Sequence, residues 1–297
     1  MITVPELASD ALGSFLASHM KPLGSSDGRL TEVVLAIARL ALDTIGNSDA
    51  LYHDVEHTML VTLAGHDILS GRALHSHVGP DDYAHFIIAC LTHDIGFVRG
   101  ILREDRRDGY VIDASSRKVT LPRGASDAAL FSYHVDRSKL FVKERIKPME
   151  AIDEERIARA IEYTRFPITL TQTEDEDGEM GMLLRAADFI GQLGDPNYIR
   201  KANALYYEFD EVGLNRKFGY ECPADVVTLY PQFYWKSVHP HIETAIRYLN
   251  VTSRGRQWIA NLHSNVFRAE REISLSGPQT NNSTTLPHNG RISAIGR

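Results

Sequence analysis

Asp81-Asp82-Tyr83-Ala84-His85-Phe86-Ile87-Ile88-Ala89-Cys90-Leu91-Thr92-His93-Asp94-Ile95-Gly96 is the stretch on which the fold of this chain turns. Asp81 or Asp82 is suited to cap a helix, the run from Tyr83 to Leu91 is mostly apolar, and Gly96 is suited to end it. Such a run belongs in the interior, so its C-terminal end delivers His93 and Asp94 to the inside of the protein. Working back, the segment from Asp49 to Leu69 carries Leu51, Val55, Met59, Leu63 and Ile68 at helical spacing, with His53, His57 and His66 among them. His53 and His57 stand four apart, which places both on one face of a helix beginning near Leu51. Before it, Leu30 to Ile45 has the periodicity of a core helix, and Gly46-Asn47-Ser48 stops it.

Downstream the pattern changes once. Tyr110-Val111-Ile112-Asp113 and Lys118-Val119-Thr120-Leu121-Pro122 read as a short β-hairpin inserted near residues 109–127. Helices are expected again over 127–146, 153–164, 182–194 and 197–210, with two more including 241–249 and 256–266. The acidic run Glu174 to Glu179 lacks the alternating ligands of a calcium loop and reads as a solvated loop before a helix. Residues 276–297 are polar without an apolar period, which predicts a disordered tail. The expected organisation is an all-α helical bundle over 30–275 with a small hairpin insertion, preceded by an N-terminal extension, 1–29.

Composition limits the function. The chain has 297 residues, 43% of them hydrophobic, which is ample for a packed core. A formal charge of −7 argues against a protein whose main task is to hold a nucleic-acid polymer, which needs a broad basic surface. There is no run of eighteen apolar residues, and Met1 to Glu6 has neither the basic start nor the apolar stretch of a signal peptide. Only Cys90 and Cys222 are present, so no disulfide framework is expected. The expectation is a cytoplasmic enzyme with no membrane partner.

Three islands carry the chemistry: Tyr52-His53-Asp54-Val55-Glu56-His57, Thr92-His93-Asp94-Ile95-Gly96, and Arg185-Ala186-Ala187-Asp188-Phe189-Ile190-Gly191-Gln192. A histidine, a His-Asp doublet and a late aspartate make a ligand set for Mn, Fe, Mg or Zn, in a chain too poor in cysteine for a thiolate site. Of His53 and His57, one can bind metal while the other works beside it. Asp188, flanked by Leu183, Leu184, Ala186, Ala187, Phe189 and Ile190, is expected to be largely buried and to need a cation. Arg99, Arg103, Arg106 and Arg107 follow the doublet and Arg137 comes later. They are either a phosphate cluster or solvated arginines. Gln192 lies one turn past Asp188 and is suited to a base or sugar, or to a helix end. His66-Asp67 is a second His-Asp pair, read as structural or surface.

The ordered set His57, His93-Asp94 and Asp188, separated by helical segments, resembles the HD-domain metal-dependent phosphohydrolases over roughly residues 30–210. The first island is similar to the Tyr-His-Asn-x-x-His segment of cyclic nucleotide phosphodiesterases, with Asp54 at the asparagine and Phe97 where those enzymes place another histidine. The resemblance implies His53 as general acid and His57, His93, Asp94 and Asp188 as metal ligands. It also implies His134 as a candidate outer ligand, a capping or buried role being the alternative. Whether one or two ions bind stays open, with Asp94 the best bridge and His134, Arg137 and Arg99 candidates for a second metal or phosphate. Tyr52 and Gln192 are candidates for the substrate pocket. The expected activity is hydrolysis of a small anionic phosphoester, a cyclic or linear nucleotide, by metal-activated hydroxide. The alternatives are an HD-type di-iron oxygenase and a non-catalytic metal-binding helical sensor.

Overall fold

The computed structural model describes residues 3–21, 28–147, 149, 151–168 and 176–275. Its helices are α1 (Val4–Met20), α2 (Arg29–Ile45), α3 (Val55–Arg72), α4 (Pro80–Thr92), α5 (His134–Phe141), α6 (Glu154–Glu162) and α7 (Glu176–Leu193). They continue with α8 (Tyr198–Glu211), α9 (Leu214–Phe218), α10 (Pro223–Thr228), α11 (Tyr230–Phe233), α12 (His239–Asn250) and α13 (Ser253–Leu275). The fold is all-α with one small antiparallel hairpin, β1 (Tyr110–Val111) against β2 (Lys118–Val119), in which Tyr110 faces Val119.

At the centre α3 packs on α7, α4 and α12, while α2 covers α4 and α1 covers α2. The α4 run is buried from Tyr83 to Thr92, as its composition requires. Two glycines let the central helices approach closely. A Cβ on Gly65 of α3 would lie 2.7 Å from Cys90 Sγ of α4, and one on Gly191 of α7 would lie 2.7 Å from the Val61 backbone nitrogen of α3. The site helices are therefore held at backbone-to-backbone range.

Several boundaries differ from the sequence expectation. Within the expected N-terminal extension, 1–29, α1 buries Leu12, Leu16 and Met20 in the same core as the rest. The helix expected from near Leu51 starts instead at Val55, because the Asp54 carboxylate accepts the His57 backbone N–H at 2.9 Å and caps it there. His53 thus precedes the helix. The acidic run does not remain a loop: from Glu176 it forms the first turn of α7, where negative charge suits the helix dipole, and Glu179 pairs with Arg72 at 2.9 Å. Glu174, Asp175 and the tail 276–297 lie outside the described residues.

Arg137 of α5 explains how the hairpin is fastened. It is fully buried, and its five N–H groups go to Gly96 O, Val98 O, Val111 O and both oxygens of buried Asp105. Asp105 in turn accepts the Val111 N–H at 2.8 Å. Ser138 Oγ donates to His93 O at 2.7 Å and accepts the Gly96 N–H at 2.8 Å. One face of α5 therefore clamps the turn that follows α4, and that turn carries the His-Asp doublet.

Candidate metal centre and its cleft

The doublet reaches one point in space because α4 stops in time. His93 is the C-cap of α4, and Asp94 leaves the helix with φ −105° and ψ 1°. Two side chains that would diverge by about 100° on a continuing helix can then converge. His57 comes from the first turn of α3 and Asp188 from the middle of α7, so the four expected ligands are brought together by three elements. His57 Nε2 lies 3.1 Å from Asp94 Oδ2 and 3.4 Å from Asp188 Oδ1. His93 Nε2 lies 3.1 Å and 3.6 Å from the same two oxygens.

These approaches are close without being hydrogen bonds. Both ring nitrogens of His57 and Nε2 of His93 are buried, with no hydrogen-bond partner among the described residues. The His93 tautomer is set from behind: Nδ1 lies 2.8 Å from the Cys90 carbonyl and donates to it, leaving the Nε2 lone pair directed at the carboxylates. Buried imidazole nitrogens are normally satisfied, and here they face the buried Asp94 carboxylate and the partly buried Asp188 carboxylate instead. The residues fit a cation held between them.

The charge state says the same. Burial opposes protonation of His57, yet Asp188 and Asp94 outweigh it and raise its pKa to about 9. Burial likewise opposes protonation of His93, and Asp94 with Asp188 carries it well above the usual imidazole range. The imidazoles in turn overcome burial and hold Asp188 down at about 2 and Asp94 well below the carboxylate range. Positive charge at the common focus, as protons or as a divalent ion, is what these four groups favour.

His53 stands beside the cluster. Its Nδ1 lies 2.5 Å from Glu208 Oε2, and Glu208 Oε1 accepts the backbone N–H groups of Tyr52 at 2.6 Å and His53 at 3.2 Å. Burial disfavours the imidazolium, but the Glu208 carboxylate prevails and the His53 pKa is raised. Phe97 is stacked between His53 and His134, each ring pair 4.5 Å apart and 15° from parallel. His134 donates from Nδ1 to the Phe131 carbonyl and sets Nε2 3.5 Å from Asp94 Oδ1. Burial lowers its pKa, so its inward nitrogen is a neutral acceptor.

A cleft of about 650 Å³, open mouth included, has His53, Asp94, His134 and Asp188 among its walls, together with Arg165, Arg185, Gln192 and several phenylalanines. Arg185 is buried, donates from Nε to the Tyr163 carbonyl at 2.7 Å and lies over the Tyr163 ring. Arg165 is braced by Glu162 and Asp136.

Among the residues singled out from sequence, His53, His57, His93, Asp94, Asp188, His134 and Gln192 meet here. Three do not. Arg137 is the buried clamp described above, with no donor left for phosphate. Arg99 is turned to Asp49 and Asp127 and ties two loops together. Tyr52 packs behind the imidazoles, 5.7 Å from the His57 ring, and does not line the cleft. Glu208 and Arg185 were not foreseen. Glu208 follows Tyr198, Ala202 and Leu205 on the buried stripe of α8, and a carboxylate on an apolar stripe was the available signal. Arg185 stands three before Asp188, on the same face of α7.

A family model described as Npun_R2479-like matches residues 6–272, a span that holds every residue of the site. The chain belongs to the Npun_R2479-like family. No curated protein matches it. In this Npun_R2479-like chain the match starts within α1, in keeping with the packing of α1 into the core.

Proposed function

We propose that the protein is a metal-dependent phosphohydrolase of HD type acting on a small anionic phosphoester. The observation that carries this reading is the set of buried His57 and His93 nitrogens, without a hydrogen-bond partner among the described residues, that face Asp94 and Asp188, two walls of a cleft that also holds arginines. A divalent ion held by His57, His93, Asp94 and Asp188 would supply Lewis acidity toward water and a phosphoryl oxygen.

The remaining steps belong to the chain's own residues. Glu208 fixes the His53 tautomer with Nδ1–H inward, so that Nε2 carries the exchangeable proton and can protonate a departing alkoxide. His134 offers a lone pair at Nε2 beside Asp94 and accepts a hydrogen bond from a water or substrate hydroxyl there. Arg185 and Arg165 provide the charge that an anionic ester needs in a cleft lined with aromatic rings. Those rings exclude bulk water and strengthen each polar contact within.

The test is turnover of bis(4-nitrophenyl) phosphate, 4-nitrophenyl phosphate and a nucleotide panel with added manganese, iron, magnesium or zinc. Hydrolysis of at least one ester, abolished by a chelator and restored by metal, is expected. Turnover insensitive to chelation, or none across the panel, would contradict the reading.

A further inference from the structure

The far ends of the helices that carry the metal ligands enclose another cavity. It measures about 470 Å³, open mouth included, and shares no wall residue with the cleft at the metal centre. Arg72 in its wall stands about 22 Å along α3 from His57, and Glu179 about 13 Å along α7 from Asp188. Leu69, Phe86, Met180 and Leu183, all buried, form the apolar part of the lining.

Four charged side chains add a polar part, and they come in two pairs. Arg72 of α3 donates to Glu179 of α7 at 2.9 Å, and Arg156 of α6 donates to Asp82 of α4 at 2.7 Å. The pairs cross-link the four helices around the cavity, so its charges are in place before anything enters. Neither pair is sealed from solvent, the four side chains being 17% to 39% exposed. The pairs also act on one another. Burial opposes ionisation of Asp82, yet Arg156, the Gly79 N–H and the charge of Arg72 hold its carboxyl below the usual range. Glu179 does not saturate Arg72, whose Nε has no hydrogen-bond partner among the described residues. A carboxylate, for its part, has about four lone-pair sites, more than one guanidinium fills.

This lining selects by charge. An anion would meet Asp82 and Glu179, and a cation would meet Arg72 and Arg156, each with like charges left against it. An uncharged apolar molecule would suit the four apolar side chains and strip water from the ion pairs without replacing it. A small molecule with one charge of each sign and an apolar body answers the whole lining.

We infer that this cavity binds a free α-amino acid with an apolar side chain. Its carboxylate is set toward Arg72 and Arg156, its ammonium toward Asp82 and Glu179, and its side chain toward Leu69, Phe86, Met180 and Leu183. The inference does not rest on the phosphohydrolase reading.

Isothermal titration of the full-length, metal-loaded protein with leucine, isoleucine, methionine and phenylalanine tests it. Saturable binding of at least one is expected. The best binder is then compared with its decarboxylated amine and its deaminated acid, each of which should bind about tenfold more weakly for the charged contact it has lost. Glu179→Gln, which keeps the shape and removes one charge, should weaken the amino acid by a similar factor and leave metal content unchanged. No binding of any of the four, or an amine or acid that binds as tightly as its amino acid, overturns the inference. So does equal affinity in Glu179→Gln, which is the result of an amino acid chelating the ion at the metal centre. The comparison of amino acid, amine and acid needs only the parent protein, so it decides the matter even where Glu179→Gln fails to fold.

Discussion

Glu208 shows how much one side chain can decide. It holds two backbone N–H groups and the His53 ring at once, so it positions the imidazole and also biases its proton. Glu208→Gln keeps the shape and weakens the charge. The expected result is metal content equal to that of the parent protein, with hydrolysis of alkyl esters reduced about a hundredfold, the lower range for acid catalysis. Nitrophenyl esters, whose leaving groups need no proton, should slow far less. Equal slowing of both ester types would show that His53 is not the acid.

At the scale of elements, the metal centre depends on how closely three helices meet. Gly191 is three residues past Asp188 on α7, and its nearest neighbours are the backbone atoms of Val61, one turn past His57 on α3. Gly191→Ala must push α3 and α7 apart, which costs about 1–3 kcal/mol as overpacking and also separates two ligands. A lower melting temperature together with weaker metal binding in a metal titration is expected. Destabilisation with unchanged metal affinity would mean that the centre tolerates a shift of α7. The clamp of α5 onto the His93-Asp94 turn has the same logic, since Arg137 and Ser138 hold backbone carbonyls there rather than substrate.

Across the whole molecule, the second His-Asp pair joins the first helix to the last. His66 is buried, bonded to the Tyr83 hydroxyl at 2.8 Å, and meets the rings of Phe15 and His19 from α1. Asp67 accepts from Arg254 Nε and Trp258 Nε1 of α13, both at 2.9 Å. Burial first, then the charges of His19 and Arg254, lower the His66 pKa to about 3. The unfolded chain takes up this proton near pH 6.5 and the native chain only near pH 3. Stability from this group is therefore present above pH 6.5 and falls on acidification, by up to about 1.4 kcal/mol per pH unit. Melting curves from pH 7.5 to pH 4.5 should fall more steeply for the parent protein than for His66→Gln. Parallel curves would remove His66 from the account.

What could be read from sequence followed from distance along the chain. The buried α4 run, the doublet at its end and Asp188 in its apolar setting are local patterns, and each was legible. The hairpin was legible too, from a change of period. The partners of Arg137 and His53 were not, because Asp105 and Glu208 join them only after folding; Glu208 lies 155 residues from His53. The start of α3 depended on the Asp54 carboxylate winning the cap over a longer helix, a balance that periodicity does not weigh. Among the described residues, no helix is long and apolar enough to cross a membrane.

The central claim is that His57, His93, Asp94 and Asp188 form one metal centre on which hydrolysis depends. The most direct measurement is metal content and bis(4-nitrophenyl) phosphate turnover on the same preparations of the parent protein and Asp94→Ala. The account predicts stoichiometric metal and turnover in the parent, both lost in the variant while its helical circular dichroism persists. Turnover retained in Asp94→Ala, or tight metal in the parent without any turnover, would contradict it.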